Sequence, residues 1–365
     1  MKKSIITLAL VLVIALLTGC AGTPVVYYSD CTCPTGAHTE TTPVESAPVE
    51  TTPAETQPAA EGAVKTGVAI IASAGESKNA GDADGEAKYD VSVVAVTVDD
   101  NGVIQSCIID SIGTSVLFDV NGAIMSDLTA PIQTKNELGD AYNMKLYGGA
   151  VAEWYEQAAA LASFAVGKTV EELRAGAVDE TGHAVDADLA TTATIYLGGY
   201  VSAIEKAVAN AQHLGAQAGD ELKLAIIPGV GSSKSADAEN AGLAQLDVDA
   251  VALTMKDGVI TSAQIDSVQA KVNFDATGVI TTDLTAPMQT KNELGEGYGM
   301  VAWGGAIAEW NAQAASFASY ITGKTADEVA GIAIDEGTKP TDADLATSVT
   351  IAIGGFQALI AKAAN

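Results

Sequence analysis

Two nine-residue runs hold most of the chemistry this sequence can offer. Residues 186–194 read DADLATTAT, and residues 342–350 read DADLATSVT. Each sets a carboxylate three residues before a hydroxyl, Asp188 before Thr191 and Asp344 before Thr347. Each closes on a further threonine, Thr194 or Thr350. An acid at that spacing can orient a hydroxyl, accept its proton or hold a metal during group transfer. A phosphate on such a hydroxyl is favoured where a helix begins, because free N–H groups and the helix dipole attract negative charge. The following TIYLGGY and TIAIGGF alternate like strands, which would delay the helix until after the glycines. The competing reading is structural. Hydroxyls gather at helix caps and strand ends, and a duplicated gene repeats them whatever their use.

No second constellation competes. There is no nucleophile elbow, and His38, His183 and His213 are scattered with none shared by both copies. No metal-ligand spacing appears, and no glycine pattern follows a strand as in a dinucleotide site. Any redox chemistry would be borrowed from a cofactor. Trp154 and Trp310 sit at helical spacing with alanines, as core residues do, although an indole can also stack on a flavin. The TKNELG segments at 134–139 and 290–295, followed by Tyr142–Met144 and Tyr298–Met300, suit either a ligand-lining loop or a conformationally demanding turn. Lys168 and Lys324 read as loop charges, with a phosphate partner as the other option.

The elements that must position these residues are written twice. Lys78 matches Lys234, Gly102 matches Gly258, Asp110 matches Asp266, Trp154 matches Trp310 and Lys206 matches Lys362, all at one spacing. The closest identity is DLTAPIQTKNELG at 127–139 against DLTAPMQTKNELG at 283–295. The copies are far longer than solenoid repeats and are domain-sized. Each copy reads as a strand pair around DNG or KDG, a further strand in VLFDVNGAIMSDLT or VNFDATGVITTDLT, and then helices. Trp154, Ala158, Leu161 and Ala165 form one helical stripe, ended by Gly167. TVEE and TADE have capping-box spacing. Strands first and helices after predict an α+β fold, in two tandem homologous domains, each an antiparallel sheet with helices packed on it. The boundary falls near 212–221, giving domains 63–212 and 213–365.

Of 365 residues, 48% are hydrophobic, and 18 Lys+Arg against 46 Asp+Glu give a net charge of -28. So acidic a surface repels phosphate backbones and argues against nucleic-acid binding. Residues 1–19 read as a signal peptide, with two lysines and a short apolar run. Leu17-Thr18-Gly19-Cys20 resembles a bacterial lipobox, which implies cleavage before Cys20 and acylation of its thiol. Diacylglycerol with a further chain such as palmitate would anchor the protein stably. Residues 20–62 then form a tether with a Thr/Pro/Glu-rich stalk that has no apolar face to fold on. Cys31 and Cys33 in it remain open to a disulfide, a redox handle or no role. Cys107 corresponds to Ala263 in the other copy.

With the lipobox, the stalk, the strand pair around DNG and the Asp-x-x-Thr-x-Ala-Thr run, the chain resembles the extracellular FMN-binding domain family. The two-domain layout is similar to that of Gram-positive flavin lipoproteins of extracellular electron transfer. The family pattern is Asp, two variable residues, Ser or Thr, Gly, Ala, then Ser or Thr. Asp188, Thr191, Ala193 and Thr194 match it, as do Asp344, Thr347 and Thr350. Thr192 and Ser348 replace its glycine, and Val349 its alanine. The resemblance implies FMN joined by a phosphoester to Thr194 and Thr350 by an FMN transferase. It also implies electrons arriving from a membrane quinone or NADH dehydrogenase system and leaving to an extracellular acceptor. Such a protein is a redox carrier more than a turnover enzyme, held on the outer face of the membrane and reaching into the wall. The alternative is a cofactor-free surface binding or structural lipoprotein. The octapeptide LVIALLTG at 12–19 also resembles signal-derived mating pheromones.

Overall fold

The computed structural model describes residues 62–365. The signal peptide, Cys20, Cys31, Cys33 and the stalk lie outside the described residues. In the first half, β1 (Lys65–Ser73), β2 (Gly85–Val98) and β3 (Ile104–Phe118) form an antiparallel sheet in that order. Six helices follow, α1 (Lys135–Leu138), α2 (Met144–Gly148), α3 (Trp154–Ala165), α4 (Val170–Ala177), α5 (Ala187–Thr192) and α6 (Gly198–Asn210). The second half repeats this with β4 (Glu221–Gly229), β5 (Gly242–Lys256) and β6 (Val259–Phe274). Its helices are α7 (Lys291–Leu294), α8 (Met300–Gly304), α9 (Trp310–Ile321), α10 (Ala326–Ala330) and α11 (Gly354–Ala364). The α+β class expected from the sequence is what the chain adopts. Among the described residues no helix is long and apolar enough to cross a membrane.

The halves are not packed separately, although the sequence suggested domains 63–212 and 213–365. All of the described residues fall in one compact unit. The two sheets lie face to face and share one interior, with Val91, Val93 and Ile112 from one meeting Val248, Ala250 and Val268 from the other. Each sheet's outer face is covered by its own helices, α3 and α6 on the first, α9 and α11 on the second. Burial on both faces explains why β2 and β5 are apolar nearly without interruption at their ends, where a sheet open on one side would alternate.

The contacts between halves are reciprocal. Phe118 stacks on Phe274 with centroids 4.0 Å apart and planes 5° from parallel. Lys206 pairs with Glu293 at 2.9 Å, and Lys362 pairs with Glu137 at 2.6 Å. Ala236 N–H donates to the Gly122 carbonyl, and Ala80 N–H donates to that of Gly278. Both glycines are required. Their φ values are +70° and +71°, and an added Cβ would meet the methyl of Ala236 or Ala80 at 2.6 or 2.5 Å.

Two sequence readings change. The extra strand expected in VLFDVNGAIMSDLT is the end of β3 followed by a turn. The Asp119 carboxylate accepts from the N–H groups of Asn121 and Ala123, both at 2.8 Å, and reverses the chain. Asp275 does the same in the second half. The single spacing between copies also conceals a compensated shift. Gly85 pairs with Phe118, and Gly242 pairs with Phe274, so β5 sits one residue further along than that spacing predicts. The shorter hairpin at Asp257-Gly258 restores it. Asp90 and Asp247 therefore occupy matching places, opposite Gly113 and Gln269.

Candidate functional site

The repeated runs are helix-cap turns that lead into an irregular segment. Asp186 caps α5, its carboxylate accepting from the N–H groups of Asp188 and Leu189 at 3.0 Å. Asp342 likewise accepts from Asp344 and Leu345 N–H, at 3.1 and 3.0 Å, ahead of a 3-10 turn over Leu345–Thr347. The hydroxyls inside the runs are used by the chain itself. Thr191 donates to the Asp188 carbonyl at 2.8 Å, and Thr347 donates to that of Asp344 at 2.7 Å. The partner is thus the main-chain oxygen, where the spacing had suggested the carboxylate. Asp188 and Asp344 are exposed, and among the described residues their carboxylates take no hydroxyl.

Thr194 and Thr350 are held differently. Gln157, fully buried on α3, accepts at Oε1 from Thr194 N–H at 2.7 Å, Ile195 N–H at 3.1 Å and the Thr194 hydroxyl at 3.3 Å. Gln313 on α9 does the same for Thr350 and Ile351 at 2.8, 3.2 and 3.1 Å. Each glutamine donates its Nε2 to a main-chain carbonyl, Ala152 or Ala308, at 2.8 Å. One amide therefore fixes both the threonine segment and the loop before its own helix. Thr194 is exposed and Thr350 half-buried, so each hydroxyl has a solvent side. The segment after them is not a strand, and α6 and α11 begin at Gly198 and Gly354, past the threonines.

The glycine missing from both runs is not demanded by the backbone. Thr192 ends α5, and Ser348 has φ −120° and ψ −15°. Among the described residues the non-glycine residues with positive φ are Asn143, Asp257 and Thr338, so neither position needs glycine's freedom.

Neither glutamine stood out in the sequence. The signal was there as E-W-x-x-Q, shared by 153–157 and 309–313. Its glutamate acts on the other side of the same helix end. Glu153 accepts from the N–H groups of Met144 and Lys145 at 2.7 and 3.1 Å, and Glu309 accepts from Met300 and Val301 at 2.8 and 3.0 Å. These bonds pin α2 and α8, whose tips carry Tyr147 and Trp303, 84% and 90% exposed. The tryptophan between them is core. Trp154 is buried and donates from Nε1 to Tyr200 Oη at 3.1 Å, and Trp310 packs edge-on against Phe356.

The TKNELG segments form α1 and α7, each opened by a capping box between Thr134 and Glu137 or Thr290 and Glu293. A buried carboxylate holds each start. Asp110 accepts from Asn136 N–H at 3.1 Å and Asp266 from Asn292 N–H at 3.2 Å. Burial pushes both carboxyls upward, that of Asp266 to about 6. Burial also pushes the Cys107 thiol up to about 12.

A cavity of about 800 Å³ lies elsewhere. It opens where β1 runs beside β6, lined by Val68, Asn210, Gln264, Asn292, Asn311 and Ser319. Among the described residues no group of three His, Cys, Asp or Glu is placed to hold a metal. No protein-family model, curated protein or solved structure matches the chain.

Proposed function

We propose that this protein is a lipid-anchored electron carrier of the cell surface, with FMN joined through a phosphoester to Thr194 and to Thr350 in two homologous halves. The observation that carries the reading is the pair of glutamine-held threonines. Two hydroxyls at matching places are fixed by one buried amide each and keep a free side toward solvent. A purely structural cap would not need the buried glutamine, because the caps themselves are made by Asp186 and Asp342.

The residues fit the group. A phosphoester on Thr194 or Thr350 replaces only the hydroxyl proton. The N–H bonds of the segment to Gln157 and Gln313 stay in place. When bound, the flavin supplies reversible uptake of electrons, and the protein supplies no acid–base chemistry of its own. The acceptor hydroxyls donate to an amide oxygen, which is no base. A separate FMN transferase must therefore remove the proton and form the P–O bond, breaking the phosphoanhydride of a flavin dinucleotide donor and releasing its nucleoside monophosphate half. In this reading electrons come from a membrane quinol or NADH dehydrogenase system and leave to an extracellular acceptor. The acylated Cys20 and the stalk set the protein's reach from the membrane.

Intact mass of the protein co-expressed with an FMN transferase tests this. Two FMN additions are expected, one lost in Thr194→Ala, the other in Thr350→Ala, and both in the double variant. A colourless protein of unmodified mass overturns it. The exposed Tyr147 and Trp303 favour a second reading, a cofactor-free surface lipoprotein that docks a wall polymer or a protein. Unmodified protein that binds cell-wall glycan would support that one.

A further inference from the structure

Lys135 and Lys291 open α1 and α7, and each is caged by two aromatic rings. Lys135 Nζ lies 5.4 Å from the Tyr142 centroid and 5.1 Å from that of Trp154. Lys291 Nζ lies 5.4 Å from Tyr298 and 4.8 Å from Trp310. Among the described residues neither ammonium makes an ion pair. Carboxylates stand further off, Asp90 and Asp110 around one, Asp249, Asp247 and Asp266 around the other. Burial pulls both ammonium groups below the usual lysine range.

A half-buried cation without a bonded counter-ion is costly, and cation–π contact offsets only part of that. A chain with 46 acidic residues could have paired both lysines. It instead repeats the same unpaired arrangement in each half. In the second half the cage borders a cavity of about 230 Å³, whose walls include Gln269, Lys271, Gln289, Lys291 and Tyr298. The cage also adjoins the threonine frame. Trp310 begins α9, and Gln313, one turn on, holds Thr350. Trp154 and Gln157 repeat that relation on α3.

We propose that Lys135 and Lys291 are positioning residues for the reduced flavin ring, their ammonium groups facing the negative charge that the ring gains on reduction. The inference rests on the FMN reading above. Two electrons from the membrane donor system and one proton from water convert the oxidised ring to its anionic reduced form. The lysine keeps its own proton and compensates the added charge. A fixed positive charge near the ring raises the midpoint potential by favouring the reduced form.

The test uses the full chain loaded with FMN by co-expression, with Lys135→Met, Lys291→Met and both together. Intact mass should show the same two additions as the parent, and thermal melting reports folding. Each single variant should shift the potential of one flavin to a more negative value, the double should shift both, and Lys291→Arg should restore most of its shift. Normal loading with unshifted potentials overturns the inference and leaves the FMN reading standing. A parent protein that takes no FMN overturns both. If the methionine variants misfold, parent protein with isotope-labelled lysine gives the same decision by NMR. The Lys135 and Lys291 Nζ resonances should move between oxidised and reduced protein, and unmoved resonances overturn the inference.

Discussion

The two lines along which the sheets meet differ more than the two threonine frames do. Where β1 runs beside β6, the junction is polar. Thr66 and Ser262 share a hydroxyl bond at 2.6 Å, Val68 N–H donates to Gln264 Oε1 at 2.5 Å, and Gln264 Nε2 donates to the Asn210 carbonyl at 2.9 Å. Where β3 runs beside β4, the positions matching Thr66, Val68 and Gln264 hold Leu222, Leu224 and Ile108, and Ser106, which matches Ser262, bonds within its own sheet to Thr97. One seam is stitched by side-chain bonds and opens a cavity, while among the described residues the other has no side-chain bond across it. The frames around Thr194 and Thr350 agree to within about 0.2 Å in every bond to the glutamine. Packing thus differs between the halves, whereas the geometry at the two threonines does not.

Both halves draw on one shared core, and Phe118→Ala should disrupt it most. Phe118 and Phe274 are fully buried against one another. Loss of either ring should cost about 3–5 kcal/mol, the range for a large buried aromatic. Denaturant unfolding should remain a single transition with a lower midpoint. A second transition left at the parent midpoint would show that the halves fold independently.

Asp266→Asn removes a buried charge from the second half, and its effect is read through pH. The folded carboxyl titrates near 6 and the unfolded one near 3.9, so the native state binds the proton more tightly. The stability from this group is full below about pH 4 and is lost as pH rises through 6, by at most about 3 kcal/mol. Asparagine can keep the bonds from Ser267 and Asn292 N–H without the buried charge. Melting curves from pH 4 to 8 should lose this part of their slope in the variant. An unchanged slope would mean that Asp266 is not the titrating group.

Gln157→Ala and Gln313→Ala probe the feature that stayed the same. Each strips one acceptor from two N–H groups and a hydroxyl, and should cost about 1–3 kcal/mol. Each should also reduce FMN addition in its own half only, read by peptide mass mapping. Equal loss in both halves would point to general unfolding.

Much of this was legible in the sequence, for physical reasons. The hairpins followed from DNG and KDG, the helical stripe from its spacing, and the capping boxes at Thr169 and Thr325 from theirs. Local rules suffice where the partner is a few residues away. The shared interior was not legible, because a strand covered by helices and one covered by a second sheet are equally apolar. Gln157 was missed because its partner lies 37 residues on, and a glutamine in an alanine-rich helix looks like surface. The main-chain partner of Thr191 was missed because Asp188 offers both a carboxylate and a carbonyl at one spacing.

The smallest effect expected is from Thr192→Gly and Ser348→Gly, which place glycine where the FMN-attachment pattern that these runs resemble has one. Both positions have ordinary backbone angles, so glycine relieves no strain. It removes hydroxyl bonds to the carbonyls of Leu189 and Leu345, at 3.1 and 3.3 Å, and adds backbone freedom to the unfolded chain. Together these should cost less than about 1 kcal/mol per site, since threonine is already a poor helix former. FMN addition should be unchanged, because the frame that fixes Thr194 and Thr350 runs through Gln157 and Gln313. Higher addition in the glycine variants, by intact mass at limiting transferase, would mean that the transferase reads position 192 or 348 directly. In that case the glutamine frame alone does not define the acceptor.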